Sequence, residues 1–285
     1  MKRKVRILDV IMYVLIYLSA GISVALLIGI IGYVFVRGIG QVNWQLLTTV
    51  TSTLKGTVGI AGNILNTIYI IVITLMIAAP IGIGSAIYLN EYAKPGKIVS
   101  IIEFTTETLA GIPSIIFGLF GMIFFGTVLG WGYSILTGSF TLAIMVLPLI
   151  TRNTQEALKT VPDSYRSGAL GMGATKWYMI RTILLPSAMP GIVTGVILAI
   201  GRIVGESAAL LFTAGSGYLL PKTTKGYLSK IFESGGTLTI QLYLSMSKGQ
   251  YNLAFGIAVV LLVIVLVINF ITKCMARKLD VSRRE

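Results

Sequence analysis

The chain has 285 residues, with 23 Lys and Arg against 10 Asp and Glu, one Cys and no His, and 55% of its residues are hydrophobic. The absence of His removes Ser-His-Asp and Cys-His catalysis, His-ligated zinc and a simple imidazole pH switch, and the single thiol, Cys274, excludes an internal disulfide or a cysteine metal cluster. Only 12% of residues are charged, about half the ~25% usual for soluble domains, so the chain reads as an integral membrane protein.

Crossing ~30 Å of hydrocarbon takes about 20 helical residues. Uncharged apolar stretches of that length are predicted at 10–36, 64–89, 98–126, 133–151, 185–212 and 251–272. They are continuously apolar rather than alternating, which predicts helices and not barrel strands. The fold class is therefore all-α and polytopic, with six transmembrane helices in one domain over 1–285. The first stretch is too long for a cleavable signal peptide and is closed by no small-residue cleavage site.

Six spans place both termini on one side. That side carries Lys2, Arg3, Lys4, Arg6, the loop residues Lys94 and Lys97, a basic loop after residue 151 and a basic tail, sixteen basic residues against six opposite. The positive-inside rule puts it in the cytoplasm. The net charge of +13 is thus topology and contact with anionic lipid, and nucleic acid is not the expected partner.

In chain order, residues 37–63 form a first external segment with Trp44, a Thr/Ser stretch and a Gly-rich run at 56–62. The third span opens with Glu103 and Glu107, four apart. Acids favour a helix N-terminus and Lys94 and Lys97 are close in sequence, so a structural role accounts for both, with Glu107 the more suspicious because it stands about two turns before Pro113. Pro113, Gly111 and Gly118 make either a kink or gating element or a packing feature.

The longest cytoplasmic loop, 152–184, reads as helix. Pro162 before Asp163 offers a start, and Ser167, Gly168, Ala169, Gly171, Gly173 and Ala174 form a small-residue surface ahead of Trp177 and Tyr178. It suits a docking helix or one lying on the lipid surface. Neither Gly168–Lys176 nor Gly215-Ser-Gly-Tyr ends in the Gly-Lys-Ser/Thr of a phosphate-cradling loop, and no loop exceeds about forty residues, short of the ~50 of an independent domain. Any uphill transport then draws on an ion gradient or a partner chain.

A charge inside a span costs ~2.5–3.5 kcal/mol on insertion scales and defaults to a functional hypothesis. Arg202 and Glu206 lie four apart in the fifth span, predicting one face and a possible pair near mid-membrane or somewhat toward the outside. Either Arg202 meets a passing anion bidentately while Glu206 tempers its charge, or the two form a structural ion pair. The second external segment, 213–250, carries Gly215, Gly217, Lys222 and Lys225, and with 37–63 suits either a lip for an extracytoplasmic partner or ordinary loops. No heptad or inverted repeat is evident.

Within the cytoplasmic loop, Ser167-Gly168-Ala169, then Gly173, then Ile183-Leu-Leu185-Pro186 has the spacing of the coupling-loop signature of ABC-importer permeases, with Ser167 where that family often has Glu. The runs Leu109–Gly121 and Gly201–Ala214 and the element Ile240-Gln-Leu-Tyr243 resemble the phosphate-importer permeases, more the A-type (PstA-like) subunit than the C-type, with Ala209 where the family often has Pro. The resemblance covers most of 60–270, and a core of 60–275 is assigned on it. It implies a type I ABC-importer permease fold, with Ser167, Gly168, Ala169, Gly173 and Ala174 coupling to an ATPase, and an anionic substrate that favours the path role of Arg202 and Glu206 over a structural pair; Gly111, Pro113 and Glu107 stand as the gating or kink candidates read from the residues themselves. It further implies a second, C-type permease subunit, two cytoplasmic ABC ATPase subunits that bind the ATP, and an extracytoplasmic phosphate-binding protein. The chain itself is expected to hold no cofactor or metal and to catalyse no reaction. Another oxyanion such as molybdate or sulfate is the nearest alternative substrate, and a gradient-driven secondary transporter the alternative class. A membrane enzyme would have only carboxylates to work with.

Overall fold

The computed structural model describes residues 7–52, 57–94, 96–221 and 223–279. Lys55, Lys222 and several terminal basic residues of the charge count, Lys2, Arg3, Lys4, Arg6, Arg283 and Arg284, lie outside them. Helix α1 (Ile7–Gly38) leads through a tight turn to α2 (Trp44–Thr48) and a small antiparallel hairpin, β1 (Val50–Ser52) and β2 (Thr57–Ile60). Then come α3 (Ala61–Ile87), α4 (Lys97–Gly111), α5 (Ser114–Gly121) and α6 (Ile135–Lys159). Two short helices follow, α7 (Asp163–Gly171) and α8 (Lys176–Met179), then α9 (Leu185–Gly205) and α10 (Ala208–Thr213). The chain ends with α11 (Thr224–Ser229), α12 (Leu238–Ser247) and α13 (Tyr251–Leu279). π-turns extend α3 over Tyr88–Tyr92 and α5 over Met122–Val128, and join α8 to α9 over Ile180–Leu184.

Among the described residues, five helices are individually long and apolar enough to cross a membrane. The sixth expected span is a bent pair. Residues 98–126 do not form one straight helix: α4 stops at Gly111, Pro113 caps α5, and the two axes differ by 101°. The physical cause lies in the sequence, since Pro disfavours α conformation in the residue before it, and Ile112 is extended at ψ 132. Pro113 is thus a break and not a kink.

The core is built around α6. Lipid gives apolar faces no reason to associate, so membrane helices hold together by close packing at small residues. Gly82 of α3 sits against Ile150, with room for a side chain lacking by design of the contact: a Cβ there would lie 2.8 Å from Ile150 Cγ2. Further along α6, a Cβ on Gly195 of α9 would lie 2.7 Å from Asn153 Cβ, and Gly191 abuts Ala157 in the same way. Thus α3 runs parallel and α9 antiparallel to α6. The central apolar cluster joins Ile70, Leu142, Met145, Val146, Ile150 and Ile203, and a second cluster around Leu158, Met179 and Leu184 closes the end toward α7.

At the opposite end the second external segment is no plain loop. Asn63 and Asn66, both buried in α3, donate their amides to Gly236 O (2.9 Å) and Gly217 O (2.9 Å), and the Ile135 amide donates to Glu233 O (3.0 Å). Gly217 and residues 233–236 are thereby stapled over the ends of α3 and α6, and α12 forms a hairpin with α13. Lys230, counted among the outer basic residues, is buried and paired with Glu233 at 3.1 Å, whereas Lys225 is exposed.

Gly118 of α5 is the contact that anchors the bent pair, because a Cβ there would lie 2.8 Å from Ala209 Cα in α10. Gly118→Val is expected to destabilise the protein by about 1–3 kcal/mol, as overpacking does. A thermal melt of the detergent-purified protein checks this, and an unshifted Tm would mean that α5 and α10 are not in contact.

Candidate functional site

The antiparallel register set by Gly195 on Asn153 and Gly191 on Ala157 carries Arg202 to the level of Val146, close to the middle of α6. There a cavity of about 230 Å³ opens between α4, α6 and α9. Its wall is mostly apolar, from Leu89, Ala110, Met145, Pro148 and Leu149, and its charged groups are Glu103, Glu107, Arg152 and Arg202. Few polar groups converging in an apolar cavity is the usual form of a small-ligand site. A wider cleft of about 580 Å³ beside Gln41, Asn43 and Gln250 is lined by amides and apolar groups without a charged side chain, which leaves nothing to attract an ion.

Arg202 is partly buried and makes no hydrogen bond or ion pair within the described residues. Its place in the last turn of α9 gives its charge support from the helix C-terminus. The expected pairing with Glu206 does not form. Helix α9 ends at Gly205 and Glu206 turns to extended backbone (φ −80, ψ 124), so the four-residue helical spacing is lost. Its carboxylate instead accepts the Ala209 amide of α10 at 3.0 Å, and its carbonyl accepts the Thr239 hydroxyl at 3.0 Å. Glu206 therefore caps α10 and is absent from the cavity wall.

Arg152 takes the place at the cavity that the sequence offered to Glu206. It is the first residue of the segment 152–184, which reads as helix, and α6 does continue eight residues past 151 to Lys159. From the level of Val146 to Arg152 is roughly 9 Å along the axis of α6, and both Arg152 and Arg202 line the cavity. Arg152 reaches Glu107 Oε1 at 3.4 Å and Glu156 Oε1 at 3.5 Å. These pairs are half exposed or more (50% for Arg152, 63% for Glu107), worth ~0–1 kcal/mol, and therefore open easily to a competing anion. The signal that would have found Arg152 is its spacing with Pro148 and Asn153 on a helix whose inner face stays small and polar.

Gly111 and Pro113 are exposed at the break one turn beyond Glu107, and neither lines the cavity. At the far end of α6 the expected docking helix is α7, starting after Pro162 with Asp163 as read from the sequence. Ser167, Gly168 and Gly173 are exposed and Ala169 and Ala174 partly so. Gly173 has φ +83, a conformation that favours glycine, so the residue at that spacing is needed to turn the chain into α8.

If Glu206 acts as a cap, Glu206→Ala is expected to cost about 1 kcal/mol while Glu206→Gln, which keeps an acceptor oxygen, stays near wild type. Thermal unfolding in detergent separates these; equal losses would reassign Glu206 to a charge role.

Residues 78–285 match the family described as binding-protein-dependent transport system inner membrane component. The chain is 40% identical over 198 residues to "Probable ABC transporter permease protein YqgI" of Bacillus subtilis, covering 70% of this chain and 67% of that one. It is 33% identical over 237 residues to "Phosphate transport system permease protein PstA" of Xylella fastidiosa, covering 82% and 80%. Among solved structures, the bacterial alginate ABC transporter aligns over 96% of each chain with a TM-score of 0.69 at 16% identity. The MetNI methionine ABC transporter aligns over 78% of this chain and 94% of that one with a TM-score of 0.56 at 23% identity, and these two likenesses concern the fold. A helical membrane protein with this match over most of its length belongs to the family of binding-protein-dependent transport system inner membrane components, the multi-pass permease subunits of ABC importers.

Proposed function

We propose that this chain forms half of the path for inorganic phosphate in an ATP-driven importer. The observation that carries the reading is Arg202, a guanidinium in an apolar helix with no hydrogen-bond or ion-pair partner among the described residues, lining a cavity that Arg152 also lines. Guanidinium groups bind phosphoryl oxygens bidentately, and two of them lining one cavity offer an oxyanion successive contacts. Glu103 and Glu107 offset their charge, so the anion is passed and not trapped. The relative from Xylella fastidiosa, named for phosphate transport and matched over four fifths of each chain, supports phosphate over sulfate or molybdate.

The complete importer in this reading pairs the chain with a second, C-type permease, two cytoplasmic ATPase subunits and an extracytoplasmic phosphate-binding protein. In this reading both termini face the cytoplasm, which the excess of basic residues on that side supports. ATP is bound by the partners, and this chain acts without a cofactor. The exposed small residues Ser167, Gly168, Ala169, Gly173 and Ala174 seat α7 on the ATPase.

Two measurements test the proposal. In proteoliposomes holding the assembled importer, Arg202→Ala is expected to lower phosphate uptake roughly 10- to 100-fold, the loss of a charged hydrogen-bonding partner. Undiminished uptake removes Arg202 from the path, and uptake competed by sulfate or molybdate as well as by phosphate reassigns the substrate. Separately, Gly168→Trp is expected to abolish co-purification of the ATPase; retained ATPase would mean that α7 is not its seat.

A further inference from the structure

Helix α7 makes few contacts with its own chain. Its residues are exposed except for Arg166 and Ala169, which are partly buried. Arg166 is the exception in kind as well as in burial. Its guanidinium donates to Leu158 O at 2.9 Å and Val161 O at 2.8 Å, the carbonyls at the end of α6 and just beyond it. It also contacts Asp163 within α7 at 3.1 Å, and Glu91 Oε1 at 3.1 Å through Nη2 and 3.3 Å through Nε. Glu91 belongs to the π-turn that ends α3, and its side chain is only 5% exposed against 19% for Arg166. A carboxylate that buried, held by a planar fork of donors, fixes an orientation where a flexible surface pair would not.

The next residue of the same π-turn makes a second link. Tyr92 lies under Lys176, whose Nζ is 4.9 Å from the ring centroid, and Lys176 opens α8 beyond the Gly173 turn. Both flanks of the exposed loop around Gly173 are therefore tied to consecutive residues at the end of α3. π-turns inside helices concentrate at functional positions, because the extra residue redirects side chains out of helical register. Here it brings Glu91 and Tyr92 together to face α7 and α8.

We infer that the π-turn Tyr88–Tyr92 is the receiver of the coupling motion. Through Arg166 on Glu91 and Lys176 on Tyr92, displacement of α7 is delivered to α3, and by the parallel packing of α3 on α6 it reaches the cavity wall that carries Arg152. Arg166 is a positioning residue in this scheme and touches neither substrate nor ATP. The inference rests on the proposed docking of α7 on an ATPase. Without the Arg166 link, α7 would still be seated on the ATPase, but it would be joined to the spans only through the chain on either side of it and its contacts with α8 and the turn that follows.

The test is made on the complete importer in proteoliposomes, by following ATP hydrolysis and phosphate uptake together. Arg166→Gln is expected to keep the ATPase in the purified complex and to lower the phosphate taken up per ATP hydrolysed by at least about tenfold, with Arg166→Lys recovering part of that ratio because it keeps the charge without the fork. Tyr92→Leu disturbs no buried charge, so it guards against simple misfolding, and it is expected to lower the same ratio about threefold, the scale of one cation–π contact. An unchanged ratio in both variants overturns the inference, as does loss of the ATPase from the Arg166→Gln complex, which would make Arg166 part of the docking seat. The underlying docking reading fails separately, if Gly168→Trp leaves the ATPase bound.

Discussion

The packing of α6 between α3 and α9 is the constraint on which the rest of the molecule depends. Its apolar window is 67% buried, against 33% for those of α3 and α9 and none of that of α1. In a membrane such a helix gains nothing from hiding apolar surface, so its place is held by backbone approach at Gly82, Gly191 and Gly195 and by the fit of Ile150, Asn153 and Ala157 against them. That register decides which residues share a level. It is the reason that Arg202 and Arg152, fifty residues apart in sequence, line one cavity.

The same packing explains why charge is tolerated where it lies. A guanidinium facing lipid would be costly, but here Arg202 faces protein and a cavity with two carboxylates, close to a helix C-terminus. The pairs made by Arg152 are weak because they are half exposed. The Arg166–Glu91 pair is of the opposite kind. Its carboxylate is buried and its donors are in a rigid fork, so separating the two is costly and the link transmits force instead of yielding. One chain thus uses ion pairs of two strengths, a labile set at the cavity and a stiff one at the cytoplasmic end.

The residues disclosed a good deal of this. The hydrophobic runs located the helices of five spans, Pro162 marked the start of α7, and the glycine of the coupling-loop spacing, Gly173, falls where the backbone has positive φ. A single charge within an apolar run was enough to single out Arg202. Straight-helix spacing placed Glu206 beside Arg202, a reading that depends on where α9 stops, and it stops at Gly205. The break in the third span, by contrast, is local: Pro113 leaves the residue before it extended. Glu206 leaves α9 to cap α10, and α6 continues because α3 and α9 cover it.

The sequence by itself determined the membrane class, the all-helical fold, the charge asymmetry behind the topology and the spacing of the coupling loop. These follow from composition and local preference, since burying a backbone in lipid demands helices whatever their neighbours. Only the tertiary structure decided that Arg152 joins Arg202, that Glu206 is a cap, that Gly217 and residues 233–236 close over α3 and α6, and that Glu91 holds Arg166. Each of these joins groups far apart in the chain or depends on a backbone turn, and local periodicity contains no term for the surfaces that meet when helices pack.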